Sequence, residues 1–442
     1  MKNFILSRLQ LLKADESFRG QLLKGGLGVG FLKLCALPLT LLTSIILARG
    51  LGPEGLGQYA FVMAVINVLV LPIGPGLGQL LTREVSKLQY SSQWAVLRGL
   101  IRRAHQWALI GSIVLMLFIA AWVYLKPSQG TEESGGLLLI GSLLLPLLAL
   151  NFLRTSILRG LRHVISAQLP DLVVRTCLHF IIAIVLLMIG VLTPTTAIVS
   201  QICSVLLAFI IGTWLLRRVR PKELKNEAPR YQTRIWLKSL PPFVMLAIVA
   251  TLNGEIGILA LGLLGMDEAA GAFRVAQSGA LLVVLSLTII NLVIGPHITR
   301  AHQADDWERL QKLSKKSARM ALAISLPLAL PMIFFSGPLI NLIFGAEYES
   351  IAKWPLAILA VGQLINVGFG SVGLFLTMSG HEKDTLIGQV IALLVSVTMT
   401  ITLIPSMGAV GAALAVSIGL VTWNVSLAFY FVKRFRFRPS IF

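Results

Sequence analysis

The chain has 442 residues, 56% of them hydrophobic and only 13% charged. Soluble domains carry about 25% charged residues, so ordinary soluble globular architecture is excluded. The net charge is +19, from 38 Lys+Arg against 19 Asp+Glu; because the basic clusters lack interleaved aromatics in a polar setting, they read as cytoplasmic loops of a membrane protein, and no nucleic-acid partner is expected.

Residues 1–24 are polar and mixed in charge, with no cleavable signal pattern. They are expected to form a cytoplasmic segment, an amphipathic surface helix being one form it could take (Phe4, Ile5, Leu9 and Leu12 against Arg8 and Lys13). Apolar runs of about 20 residues then recur, long enough to cross a roughly 30 Å hydrocarbon core. Period-two alternation is absent, so the runs predict helices. They fall at 25–48, 56–81, 104–125, 136–158, 168–190 and 195–216, and after a basic linker at 240–262, 270–297, 320–343, 352–379, 385–404 and 409–432. The expectation is an all-α integral membrane protein of about twelve transmembrane helices. It divides into a first six-helix bundle (25–216), a basic cytoplasmic linker (217–239), a second six-helix bundle (240–432) and a basic tail (433–442).

Loop charge alternates along this scheme. Arg83/Lys87/Arg98/Arg102/Arg103, Arg159/Arg162, the linker, Arg300–Arg319 and Lys433–Arg438 fall on one side; Pro53/Glu54, Lys126/Glu132/Glu133, Thr193–Thr195, Asp267/Glu268, Glu347/Glu349 and Pro405/Ser406 fall on the other. The positive-inside rule places both termini and the linker in the cytoplasm. A turn motif also repeats: Gly52-Pro53-Glu54-Gly55-Leu56-Gly57 has a weaker copy in Gly265-Met266-Asp267-Glu268-Ala269-Ala270-Gly271, about half the chain later. Two parallel six-span repeats point to a transporter with its site between the halves. The second span is broken by Pro72, Gly74, Pro75 and Gly76. This is either a cavity-lining hinge or close helix packing through small residues. Cys35, Cys177 and Cys203 show no metal or disulfide spacing and read as buried free thiols.

The stretch Gly52-Pro53-Glu54-Gly55-Leu56-Gly57-Gln58-Tyr59-Ala60, following Leu47-Ala48-Arg49, resembles the start of Wzx-type polysaccharide flippases. So do Gly76-Leu77-Gly78-Gln79-Leu80-Leu81-Thr82-Arg83-Glu84 and the late Gly408-Ala409-Val410-Gly411-Ala412-Ala413-Leu414-Ala415. The resemblance implies the fold shared with the multidrug and toxic-compound extruders, two six-helix bundles around a central cavity. It also implies a bacterial inner-membrane flippase that moves an undecaprenyl-diphosphate-linked oligosaccharide from the cytoplasmic to the periplasmic leaflet, with membrane lipid, a polysaccharide polymerase and a chain-length regulator as partners.

An intramembrane charge costs about 2.5–3.5 kcal/mol on insertion scales, so each is a functional candidate. Lys33 either faces the cavity and binds the carrier phosphates or snorkels to the inner interface. Asp171, Arg175 and His179, at i, i+4 and i+8, are expected on one helix face, with Asp171 pairing with Arg175 or leaving Arg175 free for an anionic headgroup. Arg154 lies about a turn inside the fourth span and is a further headgroup candidate. Arg49 and Arg274, at corresponding ends of the two repeats, either guide the anion's exit or anchor helix ends. Glu255 is a coupling-ion candidate or the partner of Arg274 in a salt bridge. Asn67, Gln363 and Asn366 offer amides to sugar hydroxyls or to neighbouring helices. No hydrolase triad, P-loop, metal or cofactor spacing is present, so an enzyme is not expected. The alternatives are a cation-coupled multidrug antiporter of the same fold, which the mainly basic intramembrane residues disfavour, and a non-transporting component of a polysaccharide synthase complex.

Overall fold

The computed structural model describes residues 18–125, 132–221 and 223–435. These residues are almost wholly helical, without strands. The expected surface helix around Phe4–Lys13, most of the 126–133 loop and the end of the tail lie outside them. Ten described helices are long and apolar enough to cross a membrane. Their outward faces carry large apolar side chains such as Ile110, Leu117, Phe118, Leu394 and Phe429, as lipid requires.

The first helical stretch, α1 (Phe18–Leu69), is two helices joined at Gly52, whose non-helical φ of 67° favours glycine, and the chain turns back there. Its neighbours establish the reversal. Gly28 meets Ile165, and Gly50 meets Leu187 and Leu192. On the returning leg Gly55 again meets Pro194, whereas Gly160 lies against Val85 beyond that leg's end. α1 is therefore an antiparallel hairpin whose tip carries the first glycine motif. After a bend at 70–74 come α2 (Pro75–Tyr90), α3 (Trp94–Leu125), α4 (Glu132–Ser142) and α5 (Leu144–Gly160). The next crossing is built of α6 (Val164–Leu169), a π-helical turn at Pro170–Val174 and α7 (Arg175–Met188). α8 (Pro194–Val219) completes the half. Its start is written in Thr193-Pro194-Thr195-Thr196: the Thr193 and Thr196 side chains cap each other's backbone N–H groups, and Pro194 occupies the first turn, where no N–H is needed.

The linker is shorter than expected, because α8 runs to Val219 and the next long helix starts at Thr233; a short helix, α9 (Glu223–Asn226), lies between. The second half comprises α10 (Thr233–Leu263), α11 (Asp267–Gln303), α12 (Trp307–Phe334), α13 (Ser336–Phe344), α14 (Glu349–Phe369), α15 (Val372–Met378) and α16 (Glu382–Phe435). α16 is another hairpin, reversed at Gly408 (φ 50°). Its legs zip together through Gly411 on Leu403, Gly419 on Ser396 and Gly388 on Leu427. An Arg434–Asp384 salt bridge of 2.8 Å ties the open end.

The two halves meet crosswise. The outgoing leg of α1 runs along α11, with Ser44 and Ser278 hydroxyls 2.9 Å apart. The returning leg and α2 run along α10, through Phe61 on Gly262, Asn67 on Glu255 and Gly76 on Val244. The first element of each half thus packs on the second element of the other. At the crossing, Gly57 lies on the backbone of Asp267 and Gly271, while Gly271 lies on Pro53 and Gly57. A Cβ on either would overlap main chain. The cysteines are free as expected, but Cys35 and Cys203 are exposed rather than buried, since both lie on outward faces of their spans.

Main chain cannot retreat as a flexible side chain can, so Gly271→Leu is expected to abolish the folded, monodisperse species in size-exclusion chromatography of detergent-purified protein. Gly136→Leu, where open space surrounds the Cβ position, is expected to elute as wild type.

Candidate functional site

The break in the second crossing occurs where the sequence places it. Gly74 donates to Val70 O and Gly76 to Leu71 O, so the chain passes through a wide turn around Pro72 before α2 begins at Pro75. Gly74 also lies against Phe152, and Gly76 against Val244. The break and the close packing are both real: the bend lets two small residues carry α2 against both α5 and α10.

Arg154 is 2% exposed and locked inside the first half. Its guanidinium donates to Ala208 O at 2.6 Å and Thr155 Oγ1 at 3.3 Å, and pairs with Asp171 at 3.1 Å. Gly212 leaves the space it fills. Asn151 and Thr155 also donate to Asp171. The expected Asp171–Arg175 pair is therefore replaced by Asp171–Arg154. The physical reason is the π-helical turn, in which the Arg175 N–H bonds to Pro170 O. The wider turn breaks the i, i+4 register, so Asp171 points into the α5/α8 interior and Arg175 does not follow it. His179 is 8% exposed and hydrogen-bonds Ser200 on α8 at 2.8 Å, a helix-to-helix link.

Arg175 is half-buried and makes no salt bridge among the described residues. It lies within electrostatic reach of Tyr59, and so does Arg274 from the other half. Tyr59 belongs to the returning leg of α1, just below the glycine crossing. Arg274 donates to Gln277 Oε1 at 3.0 Å, and Gln277 in turn donates to Gly254 O. Each guanidinium thus acts on the phenol through space, without a hydrogen bond to it among the described residues. Sequence reasoning named both arginines but missed Tyr59, although it stands in the quoted motif; nothing in spacing said which way its ring points.

Glu255 does not pair with Arg274. Its Oε1 accepts from Asn67 Nδ2 at 3.1 Å, across the seam between the halves, and it makes no salt bridge among the described residues. Arg274 is turned instead toward Gln277 on its own helix. Arg49 caps α13: Nε donates to Ile343 O at 2.9 Å and Nη2 to Leu342 O at 2.5 Å. Buried Tyr348 donates to Ala48 O beside it. Gln363, Asn366 and Asn424 form an amide chain joining α14 to α16, in which Asn424 was unanticipated. Lys33 is exposed.

Comparisons with known proteins agree with this architecture. Residues 22–302 match the family model described as polysaccharide biosynthesis protein. The chain is 23% identical over 390 residues to a Shigella flexneri protein provisionally assigned as an O-antigen transporter, an overlap covering 85% of this chain and 89% of that one. Among solved structures it is similar in fold to an inward-facing multidrug resistance MATE family transporter of the MOP superfamily (TM-score 0.75, 15% identity, 92% and 98% of the two chains). It is also similar to the lipid II flippase MurJ in an inward closed conformation (TM-score 0.69, 16% identity, 90% and 86%).

Arg154→Ala would leave Asp171 without its buried partner, a change of roughly 3–5 kcal/mol. Arg154→Ala is expected to lower the melting temperature of the purified protein sharply, and Arg154→Lys to recover little of it, because one ammonium cannot reach all three acceptors. Arg175→Ala is expected to melt as wild type.

Proposed function

Because the chain belongs to the polysaccharide biosynthesis protein family, we propose that it is a flippase for a lipid-linked oligosaccharide, carrying an undecaprenyl-diphosphate-linked sugar from the cytoplasmic to the periplasmic leaflet of a bacterial inner membrane. The observation that supports this reading is that Arg175 and Arg274, on helices of opposite halves, make no salt bridge among the described residues, Arg274 bonding only the neutral Gln277. Two cationic forks at the seam suit a diphosphate, and a low-dielectric setting strengthens their hold on it. Lys33, exposed on the outgoing leg of α1, would receive the headgroup first. The name of the Shigella flexneri relative supports a saccharide cargo.

Reading each hairpin leg as a crossing gives twelve passes with both termini cytoplasmic. The glycine crossing, the Arg49 cap and the Tyr348–Ala48 bond would then close the outer end of the seam. Alternating access would open that end and close the inner one. Arg49 in this state is a gate anchor, free to meet the anion only once the cap is released. Glu255, held by a neutral amide across the seam, is placed to bind a proton or sodium ion that competes with Asn67. A membrane potential would help, since each negative charge moving outward gains about 2.3 kcal/mol per 100 mV. The multidrug reading is weaker, because cationic drugs would meet two arginines there.

The test is complementation of a bacterium that lacks its O-antigen flippase and makes a repeat unit known to suit the wild-type chain. Arg175→Ala/Arg274→Ala is expected to lose surface polymer and accumulate lipid-linked repeat units, while folding and inserting normally. Full activity in that double variant would reject the site. Glu255→Gln is expected to slow transport and flatten its dependence on external pH or sodium, and an unchanged dependence would remove Glu255 from coupling.

A further inference from the structure

The segment between the halves is docked against α3 rather than spanning free. Arg230 N donates to Ala95 O at 2.9 Å, and the Arg230 backbone lies directly on Gly99, where a Cβ would overlap it. Arg98 Nη1 donates to Glu227 O at 2.5 Å, and Leu224 is buried. This strap gathers the first turns of α3 and the last turn of α8 into one cationic cluster containing Arg98, Arg102, Arg103 and Arg220.

Three features set the cluster apart from an ordinary solvated basic loop. First, the Nε groups of both Arg103 and Arg220 are buried without a hydrogen-bond partner. Arginine donors out of contact with water normally find acceptors, and leaving them unmet is costly. Second, the charges crowd each other: burial, and then the neighbouring guanidiniums of Arg98 and Arg102, lower the pKa of Arg220. No carboxylate forms a salt bridge with Arg102, Arg103 or Arg220 among the described residues. Third, an aromatic ring holds one guanidinium plane: Arg103 lies over Tyr231 at 4.9 Å. Amphipathic rings of this kind sit at headgroup level in a membrane protein.

Crowded, partly buried cations with unmet donors at the end of a membrane-spanning bundle need an anion with several acceptor oxygens. The geometry points to a binding site for the phosphate of an anionic phospholipid, seated at the inner rim between α3, α8 and the strap. The ligand chemistry is a phosphate diester with net negative charge whose acyl chains remain in the bilayer. The site is separate from the Arg175/Arg274 pair and does not depend on what the protein transports. By bridging α3 and α8 to the strap, a bound headgroup would hold the connection between the halves in place.

The experiment is a lipid titration of the full-length protein in detergent micelles, read as melting temperature. The probes are phosphatidylglycerol, phosphatidylcholine and inorganic phosphate. Phosphatidylglycerol is expected to raise the melting temperature saturably, and the other two to leave it unchanged. Arg102→Gln/Arg103→Gln/Arg220→Gln is expected to need about a hundredfold more phosphatidylglycerol, or to lose the response, since each basic residue contributes comparably to anionic-lipid binding. If that variant misfolds, Arg102→Gln/Arg103→Gln takes its place. Lys315→Ala/Lys316→Ala/Arg319→Ala, which removes the same charge from α12, is expected to respond as wild type. The proposal is overturned if the cluster variant responds like wild type, if the α12 variant loses the response equally, or if inorganic phosphate reproduces the whole effect.

Discussion

The crossing of Gly57 and Gly271 is the constraint on which the rest of the architecture hangs. Two main chains approach so closely that neither position tolerates a side chain. Close approach of this kind is how membrane helices associate in a solvent as apolar as they are. The contact fixes the order in which the neighbouring helices cross. The seam follows from it: α1 going out meets α11, and α1 returning meets α10. Tyr59 and Arg274, each a few residues past its glycine, are brought together as a consequence.

Polar groups in the chain divide according to how they are satisfied. Many Ser and Thr hydroxyls bond back to the carbonyl four residues earlier, as at Thr40, Thr43 and Ser112, and so cost little in lipid. Others bind one helix to the next, as in His179–Ser200, Asn366–Asn424 and the Arg154–Asp171 network. A smaller group has incomplete or neutral partners: Arg175, with no salt bridge among the described residues, Arg274 on Gln277 and Glu255 on Asn67. Transport needs groups that can exchange partners, and an arginine buried in an ion pair, as Arg154 is with Asp171, is poorly suited to that. The same contrast separates the inner-rim cluster, with its unmet guanidinium donors, from the tightly closed Arg434–Asp384 pair.

The connection between the halves is more than a tether. Its docking on α3 makes the inner rim of the first half continuous with the start of the second. The docked strap and the glycine crossing are thus two separate places where the halves are tied.

By itself the sequence determined the membrane class, the helical architecture and the break near Pro72, because hydropathy, proline and glycine act locally. Gly52 is the clearest case: its neighbours end one apolar run and start another, and its positive φ makes the turn. The sequence also singled out polar candidates, since any charge in an apolar run stands out. Only the tertiary structure decided their partners. Asp171 was expected beside Arg175 from helical spacing, but a π-helical turn shifts the register and sends it to Arg154. Glu255 was matched to Arg274 by depth in the membrane, yet Asn67 from the other half occupies it. Depth and periodicity place a residue along a helix and around it; which neighbour faces it depends on local register and on how two halves cross, and those are properties of the packed assembly.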